Sequence, residues 1–340
     1  MRRFITSLLI IFVLVFLSLG VAGYALYDRF VKIPRDPSAL EVRVFDTAPS
    51  SSVSQIAQRL EREGYIRSAW SIRILSRCQK KDTSIKAGEY ELAPSMTPQE
   101  ILDKMVQGEM LQRRTTIKEG MTAKDIVKAF DESGVVGQES LEAALRDQGL
   151  LSALHIPADS FEGYLFPETY NFPRNTKASV VITAMVEELN KKWAPEWSQQ
   201  LEVLGMSKHE LITLASIIEK ESGNFEEQPV ISSVFHNRLR YKMRLQADPT
   251  VIYGIPNFNG NITKRDLETY SPYNTYTIDG LPPGPIANPG LSAIKAALYP
   301  ATTTFLYFVG NGDGKHVFSD SLGEHNRAVN KYQRRRRARK

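Results

Sequence analysis

Residues 4–27, from Phe4 to Tyr27, carry no charge and are mostly Leu, Ile, Val and Phe. A helix needs roughly 20 apolar residues to cross a bilayer core, so this run makes the chain either membrane-anchored or led by a signal peptide. Gly20-Val21-Ala22-Gly23 offers small residues where a peptidase could cut. The apolar run continues past them through Tyr24-Ala25-Leu26-Tyr27, which favours an anchor that stays attached. Arg2 and Arg3 stand before the span, and Lys and Arg are held on the cytoplasmic side. The expectation is a single-pass protein of the cytoplasmic (inner) membrane, with residues 1–30 as cytoplasmic N-terminus and anchor and the body on the periplasmic, extracytoplasmic side.

The formal charge of +5 is unevenly placed. Arg334, Arg335, Arg336, Arg337, Arg339 and Lys340 supply six positive charges and Arg2 and Arg3 two more, which leaves the intervening body at −3. A body of that sign argues against a nucleic-acid partner. The tail, 331–340, reads as a solvated segment or as a contact for anionic lipid or an acidic polymer. Cys78 is the only cysteine, so no intramolecular disulfide is possible. The five histidines show no HExxH or comparable spacing, so neither a metal nor another cofactor is expected.

Between residues 42 and 134 one small pattern recurs three times. Ser52-Val53-Ser54-Gln55-Ile56, Thr97-Pro98-Gln99-Glu100-Ile101 and Thr122-Ala123-Lys124-Asp125-Ile126 each open a helical stretch, and these stretches end at Gly64, Gly108 and Gly134. Each starts with a hydroxyl N-cap followed three residues later by Gln, Glu or Asp, which can reach back to the cap N–H. Leu60, Met105 and Phe130 fall four residues after the respective isoleucines, on the same helix face. Candidate strands precede the helices at Val42–Phe45, Glu89–Leu92 and Thr115–Ile117. Short strands joined to short capped helices make a small α+β module over 40–136 that resembles LysM-type glycan-binding units in architecture. A structural spacer that sets the height of the next domain above the membrane is the other reading.

Residues 137–330 are expected to form a larger α+β domain. Its first part reads as helical, interrupted by Phe161-Glu162-Gly163-Tyr164-Leu165-Phe166-Pro167-Glu168-Thr169-Tyr170. Aromatics interleaved with carboxylates suit sugar binding; the same residues equally describe a loop whose aromatics are core.

Ser207-Lys208-His209-Glu210 is another capping box, so a helix should start near Lys208. Leu211, Ile212, Leu214, Ala215, Ile217 and Ile218 cover more than half of its circumference, which marks it as central to its domain. Gly223 is placed to end it as the C′ residue. Glu219 and Glu221 both fall inside the apolar arc, while Lys220 points out. Burial raises a carboxyl pKa, and the partial negative charge at a helix C-terminus acts in the same direction, more so on Glu221. A carboxyl kept protonated near neutral pH is what a general acid requires. Periodicity alone does not choose between the two. Segments rich in Asn, Gln, Tyr, Pro and Gly follow, with little periodicity over 271–290, as in a stiffened cleft wall.

A set of long, ordered motifs closely resembles the endolytic murein transglycosylase family, the YceG-like membrane-anchored lytic transglycosylases. The residues that carry it are Ala215-Ser216-Ile217-Ile218-Glu219-Lys220-Glu221, Asn237-Arg238-Leu239, Leu245-Gln246-Ala247-Asp248-Pro249-Thr250-Val251-Ile252-Tyr253-Gly254, Tyr273-Asn274-Thr275-Tyr276 and Gly280-Leu281-Pro282-Pro283-Gly284. The likeness covers nearly the whole chain, including the anchor and the final His325-Asn326; the basic tail is not part of it. The resemblance puts the catalytic role on the second glutamate, Glu221, and Glu221-Ser222 is similar to the Glu-Ser pair of other lytic transglycosylases. It implies cleavage of glycan strands of peptidoglycan between N-acetylmuramic acid and N-acetylglucosamine, leaving 1,6-anhydromuramic ends and terminating nascent strands. It also implies synthases of the penicillin-binding class as partners. Glu221 gives its proton to the leaving oxygen and then takes one from the muramic C6 hydroxyl, so a second carboxylate is not needed. Asn237, Gln246, Asp248, Tyr273 and Asn274 are candidates for orienting the N-acetyl groups and stabilising oxocarbenium-like charge. Glu219 is assigned to structure, paired with an arginine such as Arg238. The alternatives are a non-catalytic glycan-binding scaffold for cell-wall synthases and a conventional hydrolase.

Overall fold

The structure, a computed structural model, describes residues 2–81 and 83–334. Residues 335–340, most of the basic tail, lie outside the described residues. The fold is mixed α+β, and the chain divides into two compact units: residues 1–113 with 172–175, and residues 114–171 with 176–340.

The first unit begins with α1 (Arg2–Tyr27), which is long and apolar enough to cross a membrane. It continues into a π-helical turn, Asp28–Lys32, whose Val31 is buried in the core of the unit. β1 (Arg43–Thr47), α2 (Val53–Arg62), α3 (Ala69–Cys78) and β2 (Gly88–Leu92) follow, and then α4 (Pro98–Gln107). β1 and β2 pair antiparallel with Phe45 opposite Tyr90. Period-2 alternation turns both rings inward, onto Leu60 of α2, Ile72 of α3 and Met105 of α4. The reciprocal Ser52–Gln55 and Thr97–Glu100 bonds are both present, and α4 ends at Gly108 in the left-handed region.

The chain passes between the units along β3 (Gln112–Thr116) and β4 (Thr169–Pro173), which pair with each other. The third capped helix, α5 (Ala123–Glu132), falls in the second unit. The compact units thus divide at 113/114, with α5 grouped with the helices that follow it. The reason is physical: α5 packs on α6 (Gln138–Leu145), and the carboxylate of Glu162 accepts from the N–H of Ala123 at its first turn. α7 (Gln148–Ala153) leads to the 161–170 loop, in which Phe161, Tyr164, Leu165 and Phe166 are buried. That loop is core, and its aromatics present no face to a sugar. Gly163 (φ +87°) is required there, because a Cβ would lie 2.4 Å from Pro285 Cγ.

After α8 (Ala178–Lys192) and α9 (Glu196–Leu204) comes α10 (Lys208–Glu221), the helix around which the second unit is built. Its residues Leu211 to Ile218 are all buried, and it packs on α9, α11 (Gln228–Arg240), α12 (Asp248–Gly254) and α14 (Leu291–Leu298). Between α13 (Lys264–Glu268) and α14 the backbone forms no regular element. β5 (Tyr307–Gly310) and β6 (His316–Ser319) then make an antiparallel hairpin, followed by α15 (Leu322–Val329).

The irregular stretch is nonetheless fixed. Asn274 Nδ2 donates to the carbonyls of Asp266, Leu267 and Thr269. The N–H of Ile286 reaches Ser216 Oγ, and Asn288 donates to Met121 O and Glu162 while its Oδ1 accepts from Leu165 N–H. Backbone that cannot reach water is thus satisfied by side chains.

Candidate active site

α10 ends abruptly. Glu221 is its last residue, Ser222 is extended (φ −113°, ψ 115°), and Gly223 is not in the left-handed region expected of a capping glycine. Ser222 Oγ instead donates to Asn224 O (2.6 Å) and accepts from Asn224 N–H (3.1 Å), which turns the chain away and leaves Glu221 at the end of a buried helix. Its carboxyl faces a cleft of about 420 Å³ formed by α10, α11, the start of α12, the β5–β6 hairpin and α15.

The cleft is electrostatically graded. Burial, reinforced by the negative charge of Asp248 and opposed by the Arg238 guanidinium, pushes the Glu221 carboxyl up to about 8. Asp248 is the first residue of α12 and accepts from the Tyr276 hydroxyl (2.6 Å). Arg238 is held by donating to the carbonyls of Leu306 (2.7 Å) and Leu245 (2.9 Å), with its guanidinium over the Tyr307 ring. Gln246 lines the cleft with a left-handed backbone (φ 48°), held by its N–H to Thr275 O. Such a conformation in a residue other than glycine costs of order 1 kcal/mol and is retained only where surroundings impose it.

On the opposite wall, Glu227 fixes His316: the carboxylate accepts from the His316 backbone N–H (3.1 and 3.2 Å) and from Nδ1–H (2.8 Å). His325 stacks on Tyr307, and burial followed by the Arg238 charge holds its imidazole below the usual histidine range, so it is neutral.

Of the residues singled out from sequence, Glu221, Gln246 and Asp248 share this cleft. Asn237, Tyr273 and Asn274 do not. Asn237 donates to Thr303 O and Phe305 O and so carries the segment entering β5; Asn274 is buried in its turn; Tyr273 packs against Tyr253 and, with His209, lines a separate depression. Glu219 has no bond to Arg238. Its Oε2 accepts from Gly290 N–H (3.1 Å), so it clamps the irregular segment onto α10, whereas Arg238 acts on Glu221. Tyr276, Tyr307, Arg238, His316 and His325 complete the cleft. Arg238, Tyr276 and His325 lay inside the motifs quoted above, but which of their neighbours would converge was not readable; Tyr307 and Glu227 carried no signal.

Glu162 is a second perturbed carboxyl, outside the cleft. Burial raises it to about 7, although Ala123 N–H, Asn288 Nδ2 and the Tyr253 hydroxyl donate to it. It joins α5, the irregular segment and α12, the helix that carries Asp248. Among the described residues no group of His, Cys, Asp and Glu could hold a metal ion.

The chain is similar to known proteins over most of its length. The endolytic murein transglycosylase of Bacillus subtilis (strain 168) is 33% identical over 328 residues, 92% of this chain and 91% of the relative. That of Streptococcus pneumoniae serotype 2 (strain D39 / NCTC 7466) is 28% identical over 351 residues, 93% of this chain and 63% of the relative. A crystal structure of a YceG-like protein from Listeria monocytogenes matches with a TM-score of 0.59 at 35% identity, covering 84% of this chain and 99% of that one. The profile of the YceG-like family matches residues 45–331. With that span, the chain belongs to the YceG-like family.

Proposed function

We propose that the chain is an endolytic murein transglycosylase whose acid and base is Glu221. The observation that carries this is a single carboxyl, at the end of a buried helix, whose surroundings keep it protonated near neutral pH while it faces an open cleft. Protonated Glu221 donates to the glycosidic oxygen as the C1–O bond breaks. The resulting carboxylate then takes the C6 hydroxyl proton as C6–O closes on C1, so atoms balance without water. Gln246 and Asp248 are the substrate-facing candidates; Asp248 is suited to stabilise positive charge developing on the sugar. Asn237, Tyr273 and Asn274 support the walls.

Around this core, α1 is the membrane anchor and the body works on the extracytoplasmic side, supported by Arg2 and Arg3 ahead of the span. The strand–helix–helix–strand order of the first unit supports a LysM-like glycan contact or a spacer. Cleavage near the membrane would terminate growing strands, with synthases as neighbours.

Asp248 in the same cleft favours one second reading, a hydrolase in which it activates water. Mass analysis of glycan products separates the two. The transglycosylase gives anhydromuramic ends lighter by one water, and none of the product oxygen comes from labelled solvent. Reducing ends carrying solvent oxygen would establish the hydrolase, and folded Glu221→Gln with substantial turnover would overturn the assignment of the acid.

A further inference from the structure

The apolar helix and the first globular unit are continuous. Beyond Tyr27 the helix makes one π-helical turn to Lys32, and Val31 on that turn is 1% exposed within the core that includes Ile72 and Leu75 of α3. Three residues beyond Lys32, Arg35 is tied to the loop before α3: its Nη1 donates to Ile66 O (3.1 Å), and its own carbonyl accepts from Arg67 Nη2 (3.4 Å). Three extended residues span at most about 10 Å. The loop that leads into α3 is therefore held within a helical turn, that short reach and one arginine side chain of the end of the apolar span. A bilayer's polar layer extends roughly 5–7 Å beyond its hydrocarbon core on each side.

α3 turns Trp70, Arg73 and Arg77 to solvent at a spacing of about one helical turn each. Trp70 is 44% exposed. With Ser52, Ser54 and Ile74 the three line an open depression of about 620 Å³, and Arg73 is fixed there by donating from Nε to Ser54 Oγ (2.9 Å). The lining contains no Asp, Glu, Asn or Gln. Sugar hydroxyls are commonly met by such side chains, whereas a guanidinium fork matches phosphate oxygens and an indole, apolar with one N–H, suits the headgroup level.

We propose that this face of α3 is a lipid contact, with Trp70 seated at the headgroup level and Arg73 and Arg77 holding anionic phosphates of the bilayer that α1 spans. It would fix the height and tilt of the first unit on the membrane. The proposal rests on α1 being the anchor, and the test reads the two separately.

The full chain is placed in nanodiscs of phosphatidylcholine alone and of phosphatidylcholine with phosphatidylglycerol. Incorporation that survives an alkaline wash reports the anchor. Tryptophan quenching by lipids labelled near the headgroup reports the contact, with Trp70→Phe subtracting the signal of Trp193 and Trp197. Wild type is expected to be quenched well beyond Trp70→Phe, more strongly in anionic discs. Arg73→Gln with Arg77→Gln should remove that anionic excess, as should high salt, while leaving the zwitterionic signal in place. Equal quenching of wild type and Trp70→Phe in a retained chain overturns the lipid contact. So does a Trp70 signal that ignores lipid and responds to soluble murein fragments, which would make the face a glycan site. Failure of the chain to stay in the discs removes the anchor reading and the proposal with it.

Discussion

In α4, Thr97 and Glu100 stand three residues apart and satisfy each other's backbone; in the irregular segment, Asn288 reaches partners 167 and 123 residues away, at Met121 and Leu165. Both arrangements pair backbone groups that would otherwise be orphaned. They differ in what fails when one side chain is lost. A local cap protects one helix end, and its loss is confined to that end. A non-local clamp joins elements far apart in sequence, so its loss frees several at once. In this molecule the chemistry is attached to the second kind. Glu219 and Ser216 of α10 hold the segment that ends at Gly290, Glu162 holds both that segment and α12, and α10 and α12 deliver Glu221 and Asp248 to one cleft.

The largest effect is expected at Glu221, the residue of the clamped region proposed to move the proton. Glu221→Gln keeps the shape and removes the proton, and loss of a general acid–base group reduces turnover by about 10² to 10⁴. Formation of anhydromuramic product by the purified full chain measures it. The pH dependence has a definite sign. Glu221 is protonated in the folded state up to about 8, so proton donation by the wild type falls as pH rises through that value. A raised folded pKa also means that this carboxyl favours folding below its unfolded value and that the contribution is lost as pH rises through about 8. Glu221→Gln should therefore melt higher than wild type at pH 9 and close to it at pH 5. A variant that melted lower at alkaline pH would show that the carboxyl is stabilised as an anion.

Next in size is Glu162→Ala. It removes the acceptor shared by Asn288 Nδ2, which is buried, and by Ala123 N–H and the Tyr253 hydroxyl, which are half-buried. Unsatisfied buried donors cost about 1–3 kcal/mol each, so a loss of several kcal/mol in denaturant unfolding is expected, with turnover falling although the residue is outside the cleft. If only stability changed, α12 and Asp248 would be held by other means. By contrast Thr97→Ala removes a local cap of the first unit; about 1 kcal/mol and unchanged turnover are expected. A Thr97→Ala chain that lost activity would break the distinction between the two regions.

The same distinction explains how much was legible in the sequence. The capped helices were readable because each capping box closes within four residues: Ser52–Gln55, Thr97–Glu100, Thr122–Asp125 and Ser207–Glu210 all form as their spacing predicts. The apolar arc of α10 and the placing of Glu221 in a cleft followed from period and from family motifs. Motif membership, however, does not say whether a polar side chain faces substrate or backbone. Asn237 and Asn274 look like ligand-binding residues and are spent on backbone carbonyls, Asn237 on the distant segment entering β5 and Asn274 on its own turn. Tyr307 enters the cleft through a hairpin pairing, and His316 is fixed there by Glu227 across 89 residues; neither leaves a local pattern. That α5 groups with the helices after it was hidden for the same reason, since it looks like its two predecessors and differs in what packs on it and what binds its first turn.

Glu219→Gln should have the smallest effect, and it sharpens the comparison at two residues only one position apart from a shared lysine. Glu219 serves through one acceptor oxygen, which takes the Gly290 N–H. Glutamine retains an oxygen of the same reach, so the clamp survives. Burial also raises the Glu219 carboxyl, and the negative charge of Glu119 adds to this, so removing the charge relieves a cost at high pH. Stability is expected to change by less than about 1 kcal/mol, with turnover within a few-fold of wild type. Glu219→Ala, which deletes the acceptor, should cost more and lower turnover along with it. That pair of results identifies a clamp acting through position. If Glu219→Gln instead lost turnover while melting normally, and Glu221→Gln retained it, the acid would be Glu219 and the cleft would have to be redrawn around the Gly290 end of the segment.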